Sequence, residues 1–296
     1  MNKRSRNCLS QSLPAQSSCR ALKSYDIVGD IAIIHLSEVS AAHGVEVADA
    51  IMRVHKNVKT VLAQIGAVHG DFRLRQLSLA AGENKTVTAY SEWGCVFLGD
   101  VGKCYFSPRL SYERMRIAKQ VGKGEVVLNM FAGVGCFSIL IARYSNADRV
   151  YSVDINPSAV QYMRENVRLN TVCGKVFCLL GDAQEIVRKS LRYTADRVLM
   201  PLPEKALEYL PYALLALKKT GGWINYYDFG YGDGKEEAIE KVKLKVSEKL
   251  QGLGVAFDIK FGRIVRATGP HWYQVVLDIE VSGVANGKSR LNERVL

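Results

Sequence analysis

The stretch VVLNMFAGVGCFSILIARY, Val126–Tyr144, decides the fold. It opens with an apolar run of strand length, Val126–Met130, and closes with Phe137, Leu140, Ile141 and Tyr144 at the spacing of one helical face. Between them stands FAGVG, so the segment reads as strand, glycine-rich turn, helix. Such a turn brings backbone N–H groups close to a bound ligand, and Gly133 and Gly135 permit the approach because they carry no Cβ. A dinucleotide fingerprint, GxGxxG, would need glycine at 138, where Ser138 stands. GxG alone is a weak signal, and it gains weight only from the acids that end the next two strands.

The first of those strand-like runs ends in Asp154, within VYSVDINPSAV, and an acid there suits the two hydroxyls of a ribose. Asn156 can cap the following helix, with Pro157 at its first position. A third run ends in Asp182, within CLLGDAQE, where a carboxylate can accept from the exocyclic amine of adenine. A helix is expected over Ser107–Val121, and beyond it VVLNMF, VYSVDI, VFCLLGD, DRVLM and GGWINYYDF alternate with helical stretches. That alternation argues for an α/β fold with a parallel sheet flanked by helices. FDIKFGRIVRA and HWYQVVLDIEV then come with only a short link, as an antiparallel pair. Three successive strands thus carry a glycine turn, a ribose acid and an adenine acid at the sheet edge where ligands bind. Each acid could instead be a helix cap, a role Asp182 could fill by itself; the three together favour the ligand. The pattern resembles class I, Rossmann-fold methyltransferases, which also end in an antiparallel pair of strands.

Upstream the pattern differs. SYDIVGDIAIIHL (Ser24–Leu36) reads as a strand containing Gly29. A helix is expected over Val45–Val54, with Val45, Ala48, Ile51 and Met52 on one face. KTVLAQIG, FRLRQLSLAAG, TVTAYSEWG and CVFLGD read as further strands. The expected organisation is a flexible basic arm (1–23), a smaller α+β domain of mostly antiparallel strands (24–106), the α/β domain (107–283) and a polar tail (284–296).

Composition limits the function classes. The chain has 296 residues, and 40 Lys and Arg against 29 Asp and Glu leave a net charge of +11. A basic surface concentrates polyanions, although solvated lysines would give the same count. The first 25 residues hold no acid, which suits an organelle transit peptide or an RNA-touching arm, and the arm is favoured. The seven cysteines are odd in number and form no CxxC, so they read as thiols of a reducing compartment, the cytoplasm. The five histidines lack ligand spacing, and no metal is implied. No apolar run approaches the roughly 20 residues that span a bilayer, so no membrane partner is expected.

After the fourth strand comes MPLPEKALEYL, where Pro201 and Pro203 stiffen a turn that presents carbonyls and a flat apolar surface to a planar base. A proline helix stop would look the same. VGKCYFSPRLSYERMRIAKQV sharpens the choice. It resembles the FSPRL…ER segment of the Trm5 family, the tRNA guanine-37 N1-methyltransferases of archaea and eukaryotes. That family also carries a DMFAGVG turn, a DINP acid, an NLP turn and a segment similar to YDIVGDIAII, so the resemblance covers about 24–281. It implies S-adenosylmethionine as cofactor, held by Phe131, Ala132, Gly133, Gly135, Asp154, Ile155, Asp182, Ala183, Pro201 and Leu202. It implies tRNA as partner, read at the anticodon stem-loop by a monomer. In this resemblance Glu113 falls on the general base for guanine N1, and Arg73 on the arginine at guanine O6. Tyr105 and Arg109 fall on positions lining the flipped nucleotide, and Pro203 on the turn holding base and cofactor. Plainer readings exist: Glu113 could pair with Arg116 or Arg109 along a helix, Arg73 and Arg75 could share a solvated strand face, and Tyr105 could be core.

The chain departs from the family at three places. Asn129 replaces the aspartate of DMFAG, which could weaken cofactor contacts. Pro201 replaces the asparagine of NLP, a variant resembling the archaeal branch that also methylates a tricyclic wyosine precursor, 4-demethylwyosine. Only about 23 residues precede the α+β domain, where the family has a further small domain. Rival readings are an aminocarboxypropyl transferase of wyosine synthesis and a non-catalytic tRNA-binding protein on the same fold.

Overall fold

SYDIVGDIAIIHL does not run through as one strand. In the computed structural model, which describes residues 25–35, 44–66, 70 and 72–283, Tyr25–Val28 (β1) and Ile31–His35 (β2) pair antiparallel around Gly29 and Asp30. Gly29 adopts φ +59°, and a Cβ there would lie 2.2 Å from Thr88 Oγ1 and 2.3 Å from the Ala89 carbonyl oxygen. Only glycine allows both the left-handed turn and that approach. The arm at 1–23 and the tail at 284–296 lie outside the described residues.

The chain divides into two compact units, Met1–Pro108 and Arg109–Leu296. In the first, helix Gly44–Val54 (α1) crosses from β2 to Thr60–Gln64 (β3), and those two strands are parallel. Leu77–Gly82 (β4) then pairs antiparallel with β3, giving the order β1-β2-β3-β4. The helix turns Val47, Ala48, Ala50 and Ile51 into a core with Ala32, Ile34 and Val61, while Val45, expected on that face, is exposed. FRLRQLSLAAG becomes a strand only from Leu77 on. Val87–Glu92 (β5) and Cys95–Asp100 (β6) form a separate hairpin.

A 3₁₀ turn, Pro108–Leu110, leads into Ser111–Gln120 (α2), the first helix of the second unit. Next come Val126–Asn129 (β7), Cys136–Tyr144 (α3), Arg149–Asp154 (β8), Pro157–Leu169 (α4), Val176–Leu180 (β9), Ala183–Ser190 (α5), Arg197–Met200 (β10) and Pro203–Ala216 (α6). Gly221–Tyr231 (β11), Lys235–Gly252 (α7), Phe257–Gly269 (β12) and Trp272–Ser282 (β13) complete it. The sheet order is β9-β8-β7-β10-β11-β13-β12, parallel throughout except for β13, which runs against both neighbours. This is the parallel sheet expected from the alternation, ending in the expected antiparallel pair, and it agrees with the Rossmann-like fold that the resemblance implied. All four residues of β10 are buried, as a strand with cover on both faces requires. Val198 and Met200 pack with Leu210, Ala213, Val246 and Leu277 in the core beneath α6 and α7. At the open edge, β12 breaks register three times, and such bulges discourage pairing with a further strand. The chain turns opposite ways after β7 and β10, so the crevice outside their C-terminal ends is the topological switch point where open α/β sheets bind ligands.

Candidate active site

The glycine turn sits at that switch point. Gly133 and Gly135 adopt φ +57° and +94°, and Gly135 caps α3. A Cβ on Gly135 would meet Met163 Cγ at 2.9 Å, so the bare backbone is needed. Asn129 is fully buried inside the turn: its Nδ2 donates to Ser138 Oγ (3.2 Å) and its Oδ1 accepts from the Phe131 N–H (3.4 Å). The amide in place of the family's carboxylate therefore shapes the turn from within.

Asp154 closes the turn from the next strand. Its Oδ2 accepts from the Gly133 N–H at 2.6 Å and its Oδ1 from the Asn156 N–H at 2.9 Å. Burial pushes the carboxyl above its ordinary range, and the two backbone donors only partly offset that. Each oxygen keeps one lone pair, enough to accept from two vicinal hydroxyls. Asp182 caps α5 through the Gln184 N–H (2.8 Å), the plainer role anticipated for it, and its Oδ2 also accepts from the Tyr209 hydroxyl (2.8 Å). The ring of Tyr209 meets Phe131 edge-on at 5.2 Å, so this one residue of α6 ties the glycine turn to Asp182. Ile155, next in the chain to Asp154, is 44% exposed, and Ala183, next to Asp182, is buried. An uncovered apolar side chain next to Asp154, at a sheet edge where two carboxylates keep free lone pairs, suits the flat face and polar edges of an adenosyl group. At the end of β10, Pro201 and Leu202 are half-buried and Pro203 starts α6.

Glu113, on the first turn of α2, is 1% exposed and fully engaged. Its Oε1 accepts from the Tyr227 hydroxyl (2.8 Å) and Arg116 Nη2 (2.8 Å); its Oε2 accepts from Arg116 Nε (2.9 Å) and Arg263 Nη2 (2.5 Å). The i,i+3 pair with Arg116 is thus formed, within a larger cluster. Arg116 reaches on to Asp278 through Nη1 (2.6 Å) and Nη2 (3.0 Å), and Asp278 also accepts from Gln120 and Asn225. Burial alone would raise the Asp278 carboxyl, but those donors outweigh it and hold it below the usual range. Burial and the Glu113 charge push the Tyr227 phenol well up, so it stays a donor.

In the first unit Arg73 lies outside any strand, in a turn with φ +53°, so the expected shared strand face with Arg75 does not exist. Both guanidiniums gather instead at the half-buried Tyr105, Arg73 at 4.4 Å and Arg75 at 5.9 Å from the ring centroid. Arg75 also donates to the Phe106 carbonyl (3.1 Å). Arg73 and Tyr105 are therefore brought together in one unit. Arg109, exposed on the 3₁₀ turn, Glu113 and Pro203 belong to the other.

The family described as the TRM5/TYW2 methyltransferase domain matches residues 88–253, more than half of the chain, and the TYW2 N-terminal domain matches 5–86. The chain belongs to the TRM5/TYW2 methyltransferase family. It is 42% identical over 260 residues to the tRNA (guanine(37)-N(1))-methyltransferase Trm5b of Pyrococcus abyssi, covering 88% of this chain and 75% of that enzyme. The crystal structure of that Trm5b matches at a TM-score of 0.82 with 38% identity, over 93% of this chain and 81% of that one. The tRNA 4-demethylwyosine(37)-methyltransferase Taw21 of Saccharolobus solfataricus is 37% identical, over 88% of this chain and 94% of its own length. The structure of aTrm5 in complex with tRNALeu matches at a TM-score of 0.79 with 32% identity, over 94% and 78% of the two chains. The sequence reading reached the glycine turn, Asp154 and Asp182 from their places at the ends of successive strand-like runs. Tyr209, Tyr227, Asp278 and Arg263 were missed, because none has a local signature.

Proposed function

We propose that the chain uses S-adenosyl-L-methionine to methylate N1 of guanine 37 of tRNA, acting as a monomer in the cytoplasm. The observation that carries the reading is the switch-point constellation: a glycine turn, Asp154 and Asp182, both carboxylates holding spare lone pairs, with the exposed Ile155 next to Asp154 in the chain. Among the described residues no helix is long and apolar enough to cross a membrane, and the five described cysteines are free, as a reducing compartment would leave them.

Bound S-adenosyl-L-methionine supplies an electrophilic methyl group on its sulfonium sulfur. The chain's residues do the rest. Asp154 accepts from the ribose hydroxyls and Asp182 from the adenine amine, with Phe131, Ala132, Gly133, Gly135, Ile155 and Ala183 around them. The carbonyls of the Pro201–Leu202–Pro203 turn face the acceptor base. Arg73 donates to guanine O6 and stabilises the charge that develops there. Tyr105 and Arg109 line the flipped nucleotide, which must leave the stacked anticodon loop for N1 to be reached. Glu113 takes the N1 proton. In this assignment 24–106 is the acceptor domain and 107–283 the methyltransferase domain, with a basic arm before and a polar tail after.

A second reading, methylation of 4-demethylwyosine at the same position, is favoured by Pro201 in place of asparagine and by the similarity to Taw21 along nearly all of that enzyme's length. Competition decides between them. Equal amounts of tRNA carrying guanine 37 and tRNA carrying the precursor are given to the enzyme with limiting methyl donor, and the nucleosides are separated. Methyl label mainly in 1-methylguanosine supports the first reading; label only in the tricyclic base replaces it with the second. A mass gain equal to an aminocarboxypropyl group would overturn both.

A further inference from the structure

A carboxylate offers about four lone-pair sites. In Glu113 all four are taken, by Tyr227, twice by Arg116 and once by Arg263. In that state Glu113 cannot accept a proton from a base. One donor must leave, and the four are not equally held. Tyr227 is buried on β11. Arg116, on the same helix as Glu113, is anchored from behind by two bonds to Asp278 on β13. Arg263, on β12, has a 27% exposed side chain and, among the described residues, a single hydrogen bond, to Glu113, and a buried Nε with no partner. Its guanidinium lies 5.2 Å from the ring of Tyr112, itself 67% exposed. The cluster is also charge-balanced: Glu113 and Asp278 against Arg116 and Arg263.

We propose that Arg263 is a latch on Glu113 worked by the nucleic acid: closed in the free protein, and drawn onto a phosphodiester of the bound polynucleotide. The latch rests on the guanine-37 reading. Withdrawal of Arg263 opens one lone pair on Oε2 and removes one of the two compensating cations, so proton uptake is favoured at the moment substrate is present. The N1–H bond of guanine then breaks, the proton passes to Oε2, and the electron pair left on N1 takes the methyl group. Glu113 later returns the proton to solvent, and Arg263 closes again. A planar guanidinium suits the move, since it exchanges a carboxylate for a phosphate while keeping an aromatic face beside it. Arg263 is thus a positioning residue that acts through Glu113.

The test compares wild type, Arg263→Ala and Arg263→Lys in single-turnover methyl transfer to a guanine-37 tRNA transcript, with filter binding of the same RNA across salt concentrations. A latch places the loss in binding. For Arg263→Ala the tRNA concentration for half-maximal rate should rise roughly tenfold, as loss of one charge-assisted bond implies. The slope of log affinity against log salt should fall by about one, while the rate at saturating tRNA stays within about threefold. Arg263→Lys, which keeps the cation, should restore the salt slope. A fixed structural role gives the opposite split: a saturating rate down by roughly a hundredfold with salt slope and half-maximal concentration unchanged. That result, or no change in either quantity, overturns the latch. If Arg263→Ala does not fold, Arg263→Lys decides, because a fixed role still predicts an unchanged salt slope with a lowered saturating rate. A wild type that methylates nothing on this RNA overturns the guanine-37 reading and the proton step with it; the salt slopes then still show whether Arg263 meets a phosphate.

Discussion

Replacing Arg116 with methionine would put the buried ion cluster to the test. Arg116 donates four hydrogen bonds of 2.6–3.0 Å to Glu113 and Asp278, and its side chain is only 14% exposed. The substitution keeps most of the volume and strands two carboxylates that are 1% and 3% exposed. Breaking a buried pair by removing one partner costs 3–5 kcal/mol; with Tyr227, Arg263, Gln120 and Asn225 still donating, the lower end applies, about 3 kcal/mol at neutral pH. The loss should depend on pH with a defined sign. Asp278 is held below its unfolded value, so its stabilisation is complete above about pH 4 and is lost as pH falls through the lower folded value. Wild type and variant should therefore converge below about pH 4. Urea unfolding of the second unit can be followed by tryptophan fluorescence in a Trp93→Phe background, which leaves Trp223 and Trp272. A cost under about 1 kcal/mol at pH 7, or a gap unchanged between pH 7 and pH 3, would refute the reasoning.

The geometry fixes two further outcomes. Tyr209→Phe removes the hydroxyl that braces Asp182, and calorimetric titration should show S-adenosylmethionine binding weakened roughly tenfold with tRNA affinity unchanged; equal weakening of both would mean a general disturbance of α6 instead. Gly29→Ala forces a side chain into positive φ and against the β5 backbone, and should destabilise the first unit by roughly 2–4 kcal/mol in thermal or urea unfolding, whereas a loss under half that would mean the turn relaxes freely.

How much could be read in the sequence depended on how local each signal was. The strand–turn–helix at Val126–Tyr144 is contiguous, and β10 was legible as a strand from the apolar run Val198–Met200 that follows Arg197, although nothing in that run told where in the sheet it lies. Both acids stand at strand ends for local reasons: Asp154 is the last residue of β8, and Asp182, two residues beyond β9, is the N-cap of α5. Gly29 was passed over because apolar residues continue on both sides of it, although the Gly29–Asp30 pair is itself a turn signal. Arg73 and Arg75 alternate as a strand would, and nothing local announces the positive φ at Arg73. Glu113 shows the limit most sharply. Its neighbour Arg116 is visible at i,i+3, but Tyr227 and Arg263 come from 114 and 150 residues further on. A sequence pattern can nominate a carboxylate as a base, but only the fold shows what already occupies its lone pairs.

The proposed reaction moves a methyl group to one atom of one nucleotide. The most direct measurement incubates the full chain with S-adenosylmethionine and an unmodified tRNA transcript bearing guanine 37, beside a transcript with adenine at that position, and tracks intact mass and then digested nucleosides. The expected result is a gain of one methyl group on the first RNA alone, recovered as 1-methylguanosine. Methyl gain on both RNAs, or on neither while the cofactor binds, would contradict it.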